Sequence, residues 1–164
     1  MRELFLLRHA KSATGDAELR DFDRPLSEPG KKEALRIGKY IKQHNLAFAL
    51  LLSSPAVRAR ETAELVLKSA ELVVDVRYDQ LIYEASAKQL FEVISHVEDK
   101  WNSVLLVGHN PGIEGLLHLL TDRSEHMSTA SLARVGLEAD GWSDLGEGKG
   151  QLEWLMTQKD LADH

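Results

Sequence analysis

The sequence predicts a three-layer α/β/α domain around a mostly parallel central sheet. Leu4-Phe5-Leu6-Leu7, Ala49-Leu50-Leu51-Leu52 and Val104-Leu105-Leu106-Val107 are compact apolar runs without polar alternation, as expected of strands covered on both faces. Amphipathic helical patterns lie between and after them, and strands alternating with helices favour a layered α/β fold. Each run also gives way at once to polar residues, which is where ligands collect in open α/β sheets.

The elements follow in chain order. After the Leu4–Leu7 strand, Ser27-Glu28-Pro29 opens a helix whose Ala34, Ile37 and Ile41 share one face. The Ala49–Leu52 strand leads into Ser54-Pro55, a capping side chain directly before a proline suited to the first helical position, and Ala59, Ala63 and Val66 form that helix's inward stripe. Ser86 precedes a third helix with Leu90, Ile94 and Val97 on one face. The Val104–Val107 strand is followed by Asn110-Pro111, a second cap-and-proline start, and by Ile113, Leu116, Leu117 and Leu120. Segments 131–138 and 151–157 read as two further strands at a sheet edge, joined by a loose connection containing Gly141, Gly146, Gly148 and Gly150. With no repeat and no linker, residues 1–164 are expected to form a single domain.

Composition narrows the function. The chain has 164 residues, 43% of them apolar, enough for a substantial core. Its 20 basic and 26 acidic residues give a net charge of -6, so no broad basic face exists for a nucleic-acid backbone, although a small cationic pocket is compatible with that balance. Without cysteine there is no disulfide, thiolate nucleophile or thiolate zinc site. The short apolar run at the amino end suits neither a signal-peptide core nor a membrane span, so a cytoplasmic protein is expected.

The residues just beyond the apolar runs are Arg8-His9, Ser53-Ser54 and Gly108-His109, and Arg58 joins them from the first turn of the helix after Pro55, where backbone N–H groups favour an anion. Two arginines and two histidines around one anion suit a phosphoryl group, because guanidinium forks match its oxygens bidentately and stay charged. A neutral imidazole attacks phosphorus and later leaves, splitting hydrolysis into two steps without a metal.

Leu6-Leu7-Arg8-His9-Ala10, Ser53-Ser54-Pro55-Ala56-Val57-Arg58-Ala59 and Val107-Gly108-His109-Asn110-Pro111-Gly112 resemble, in order, the motifs of the histidine phosphatase superfamily. Lys11-Ser12, the segment from Asp23-Arg24-Pro25-Leu26-Ser27 to Gly30 and the short length make the chain most similar to the SixA-type phosphohistidine phosphatase branch, with the likeness covering residues 3–120. The resemblance implies a phosphoglycerate mutase-like fold, His9 as the phosphorylated nucleophile, and Arg8, Arg58 and His109 on the phosphoryl oxygens. It also implies neither metal nor organic cofactor. Ala10 stands where the superfamily usually has glycine. Larger members carry an acid that protonates an alcohol leaving group, and Glu84 is the candidate here, with Ser12 a candidate phosphate contact.

Departing imidazole has a reference pKa of about 6.5, whereas an alkoxide is far more basic and needs protonation. Leaving-group chemistry therefore favours phosphohistidine, and the resemblance implies a phosphotransfer or signalling protein as its carrier; a monomer without nucleic-acid or membrane partners is expected. A small-molecule phosphomonoesterase of the same fold, a noncatalytic phosphate-binding module and a metal-dependent hydrolase are the competing readings. Arg60 is assigned to the surface, and Glu114 with His118, one turn apart, to a surface pair. His44, His96, His126 and His164 make no recognised metal-ligand spacing, and the glycines near Lys149 lack a full phosphate-loop pattern.

Overall fold

A computed structural model describes residues 1–162. Six strands, β1 (Arg2–Arg8), β2 (Leu50–Ser53), β3 (Asp75–Tyr78), β4 (Ser103–Gly108), β5 (Leu132–Leu137) and β6 (Gln151–Met156), form one sheet in the order β3-β2-β4-β1-β5-β6. β1 runs parallel to β4, β4 to β2 and β2 to β3, while β5 and β6 add an antiparallel edge.

Helices α1 (Glu28–Gln43) and α2 (Val57–Ala70) cover one face, and α3 (Ala87–Ser95) and α4 (Gly112–Thr121) the other. The short α5 (Gln158–Ala162) lies against α1. The alternation of β1 side chains makes the three layers visible: Leu4 and Leu6 join Leu90, Ile94, Ile113 and Leu117, whereas Phe5 and Leu7 join Ile37, Ile41, Ala63 and Val66. Both faces are apolar, which is why the parallel strands read as uninterrupted hydrophobic runs.

Local chemistry explains the helix starts. Ser27 accepts from Gly30 N at the start of α1, and Ser86 closes a reciprocal capping box with Gln89 at the start of α3. The other two starts differ from expectation. α2 begins at Val57, after an Ala56 cap without a side-chain bond, and α4 begins at Gly112, after a cis Asn110–Pro111 bond. The two side chains expected to cap are engaged elsewhere: Ser54 Oγ accepts from Ala56 N and meets His109, and Asn110 Nδ2 donates to Glu114 and to Met127 O. Val97 falls beyond the end of α3 yet remains buried.

β3 was not visible in the sequence, because Asp75-Val76-Arg77-Tyr78 is an exposed edge strand of four residues without a buried face. Sheet register then fixes the site. Arg8 lies opposite Gly108 and Ser53 opposite Val107, so the carboxyl ends of β1, β4 and β2 are adjacent. Gly30 secures the segment that follows β1, since a Cβ there would stand 1.9 Å from Lys11 O. Among the described residues no helix is long and apolar enough to cross a membrane.

Candidate active site

At that sheet edge the His9 and His109 rings face each other with centroids 5.0 Å apart, each only 8% exposed. His9 follows β1, and its backbone is pinned on both sides, its N–H donating to Gly108 O and its carbonyl accepting from Ala130 N. Its Nδ1 lies 2.7 Å from Ala10 O. A carbonyl only accepts, so Nδ1 carries the proton and Nε2 keeps its lone pair. Ala10 packs with zero exposure, its N–H donating to Thr62 Oγ1, so the small residue at this position is held by α2.

Arg8 Nη1 donates to Met127 O at 3.1 Å, while its Nε is buried without a partner. Arg58, in the first turn of α2, is 8% exposed and donates from Nη1 and Nη2 to the backbone and carboxylate of Asp21. His109 Nε2 lies 2.8 Å from Ser54 Oγ, and its Nδ1 is also buried without a partner. Ser54 Oγ also accepts from Ala56 N, so this hydroxyl joins the start of α2 to His109. Among the described residues Arg8 Nε is thus a buried donor without a partner, a cost that an oxyanion would relieve, and His109 Nδ1 is a second buried ring nitrogen without one.

Burial pushes His9 down to about 4, reinforced by the Arg58, Arg8 and Arg24 charges against a smaller opposing effect of the Ala10 carbonyl. Burial also pushes His109 down to about 3, with His9 and Arg58 adding to the shift. Both rings are therefore neutral at pH 7. NMR titration of ring resonances is expected to place both midpoints near or below about pH 4, and midpoints near 6.5 would contradict this environment. Unfolded imidazoles titrate near 6.5, so the unfolded chain binds more protons below that pH; these histidines withdraw stability as pH falls from about 6.5 to about 4.

Ser12 and Glu84 lie at the margin of this cluster. Ser12 Oγ accepts from Arg24 Nη2, and Glu84 is exposed on a turn with φ 56° beside Tyr83. None of the hydrogen bonds of the two imidazoles involves Glu84. Glu114 does not serve His118 as expected: its Oε1 receives Asn110 Nδ2, Met127 N and His126 Nδ1, which fixes the carbonyl that holds Arg8. His118 instead meets Ser124. Among the described residues no group of three or more histidines and carboxylates is arranged to hold a metal ion, and His164 lies outside the described residues.

Sequence reasoning did not identify Asp21 and Tyr83 as neighbours of this site. Tyr83 donates to Asp21 Oδ2 at 2.7 Å and sets its ring edge-to-face on His109, with centroids 5.6 Å apart. The acidic loop before Arg24 was a signal, but it did not single out Asp21 as the partner of Arg58.

An α/β/α sheet with two facing histidines and two arginines beyond its carboxyl ends defines a phosphoryl-handling class of protein. A sequence profile described as the histidine phosphatase superfamily (branch 1) matches residues 4–89, and the chain belongs to that superfamily. Within it, the chain is similar to SixA-type proteins. A crystal structure described as a putative phosphohistidine phosphatase SixA from Agrobacterium tumefaciens is 28% identical, covers 95% of this chain and 97% of its own, and superposes with a TM-score of 0.82. A mycobacterial glucosyl-3-phosphoglycerate phosphatase, 18% identical over 96% of this chain and 100% of its own with a TM-score of 0.70, shares the fold. An uncharacterized chloroplastic protein of Arabidopsis thaliana is 31% identical over 95% of this chain and 78% of its own length. An uncharacterized protein of Mycobacterium tuberculosis is 33% identical over 87% of this chain and 93% of its own. The fold and family support phosphatase activity.

Proposed function

We propose that this protein is a metal-independent phosphohistidine phosphatase that forms a covalent phosphohistidine on His9. The observation that carries this reading is the state of His9: neutral, with its proton tied to Ala10 O and Nε2 left free among the charges of Arg8, Arg58 and Arg24. Nε2 attacks phosphorus in line, Arg8, Arg58 and His109 hold the phosphoryl oxygens, and the substrate imidazole departs. Water then takes the phosphoryl group from His9, which leaves as neutral imidazole. Positioning and charge stabilisation supply the catalysis, as phosphoryl transfer requires.

Departing imidazole does not need a strong proton donor, which agrees with a margin where the candidate acid Glu84 is exposed and outside the imidazole network. The substrate class is a phosphohistidine on a phosphotransfer or signalling protein of the cytoplasm. The test is hydrolysis of a phosphohistidine peptide and of an alkyl phosphate, with and without a chelator, by wild type and Glu84→Gln. The expected result is a preference for the phosphoramidate, no chelator effect, and a change of less than about threefold in Glu84→Gln. An alkyl-phosphate preference abolished by that substitution would favour a phosphomonoesterase, and chelator-sensitive turnover a metal hydrolase.

A further inference from the structure

At the outer edge of the candidate site, Asp21 carries a negative charge where an anion-binding pocket gains nothing from one. Its Oδ2 accepts from Arg58 Nη2 at 3.0 Å and from Tyr83 OH at 2.7 Å, and its Oδ1 pairs with Arg24 Nη1 at 3.2 Å. The Arg58 side chain is 9% exposed and that of Asp21 46%, so the carboxylate lies on the solvent side of the guanidinium. Phe22 and Tyr83 stand next to it, both half-buried, edge-to-face at 87° with centroids 5.1 Å apart. Through its contact with His109, Tyr83 links this aromatic corner to the two imidazoles.

The hydrogen bonds from Tyr83 and Arg58 hold the Asp21 carboxyl below its ordinary range, so it is ionised at neutral pH and accepts rather than donates. Burial and the Asp21 carboxylate push the Tyr83 hydroxyl up to about 12, which keeps it a donor. An ionised carboxylate beside two aromatic rings attracts a flat, cationic, N–H-bearing group and repels a developing alkoxide.

We infer that Asp21, Phe22 and Tyr83 form the leaving-group subsite and that Asp21 determines specificity for a protonated imidazole over an alcohol. This rests on the phosphatase reading of the same site. In the step it serves, His9 Nε2 forms a bond to phosphorus as the P–N bond of the substrate breaks, and the electron pair of that bond returns to the substrate ring nitrogen. The other ring nitrogen keeps its proton and donates it in a hydrogen bond to Asp21. The ring therefore leaves as neutral imidazole rather than imidazolate, and no proton donor is consumed.

The test compares kcat/KM for a phosphohistidine peptide and for an alkyl phosphate at pH 7, together with inhibition by inorganic phosphate, in wild type, Asp21→Asn and Asp23→Asn. Asparagine still accepts from Tyr83 but removes the charge. In Asp21→Asn the ratio of the two kcat/KM values is expected to fall about tenfold or more, and inorganic phosphate to inhibit more strongly because a repelling charge is gone. Asp23, which pairs with Arg20, should leave the ratio as in wild type. A proportional fall for both substrates with weaker phosphate inhibition would show that Asp21 only orders Arg58, and an unchanged ratio would equally overturn the inference. If Asp21→Asn still forms phosphohistidine on His9 while the ratio stays constant, only this inference fails. If wild type turns over neither substrate, the phosphatase reading fails and takes it along.

Discussion

His9→Ala is expected to lower kcat by about four orders of magnitude or more while inorganic phosphate still binds within a few-fold of the wild-type affinity. The separation follows from where each function resides. In the proposed mechanism the attacking lone pair is that of His9 Nε2, while His109 Nε2 is engaged with Ser54 Oγ. The proposed anion-binding residues are Arg8, Arg58 and His109, whose backbone positions are set by β1, α2 and the segment after β4. Removing the imidazole opens space beside them without displacing those elements. Steady-state kinetics and calorimetric phosphate titration on the same preparation check both halves. A variant with wild-type turnover would exclude His9 as nucleophile, and a wild type with phosphate affinity but no turnover would support the binding-module reading.

Arg8→Ala is expected to reduce kcat/KM by about 100- to 1,000-fold, the usual loss of one donor to developing transition-state charge. Among the described residues Arg8 has one side-chain hydrogen bond, to Met127 O, and a buried unpartnered Nε, so much of its donor capacity is uncommitted. Arg58→Ala is expected to fall at least as far, because it also strips Asp21 of its buried partner and leaves that carboxylate near the phosphoryl oxygens. Lysine at either position should recover little, since an ammonium does not reproduce the planar fork. Kinetics with the phosphohistidine peptide measure these losses. Full activity in either alanine variant would remove that arginine from the site.

The elements that carry the chemistry were legible because each obeys a short-range rule. Leu4–Leu7 and Val104–Val107 are buried on both faces, and their carboxyl ends deliver Arg8, His9 and His109 wherever the helices lie. Ser27 and Ser86 cap as read, since their partners lie three residues away. Ser54 and Asn110 do not, because His109 and Met127, 55 and 17 residues distant, compete for the same side chains. The partnership of Asp21 with Arg58 spans 37 residues and depends on how the loop before α1 folds over α2, which no local pattern encodes. β3 escaped for the opposite reason: it is held by pairing with β2 and buries no side chain that would mark it.

The central claim is covalent catalysis on His9, and the most direct measurement is a metal-free reaction with the phosphohistidine peptide, quenched rapidly into alkali to preserve phosphoramidate bonds, followed by peptide mass mapping. The account predicts phosphate on the peptide containing His9 in wild type and its absence in His9→Ala. Turnover without that adduct at quench times shorter than a catalytic cycle, or an adduct on another residue, would contradict it.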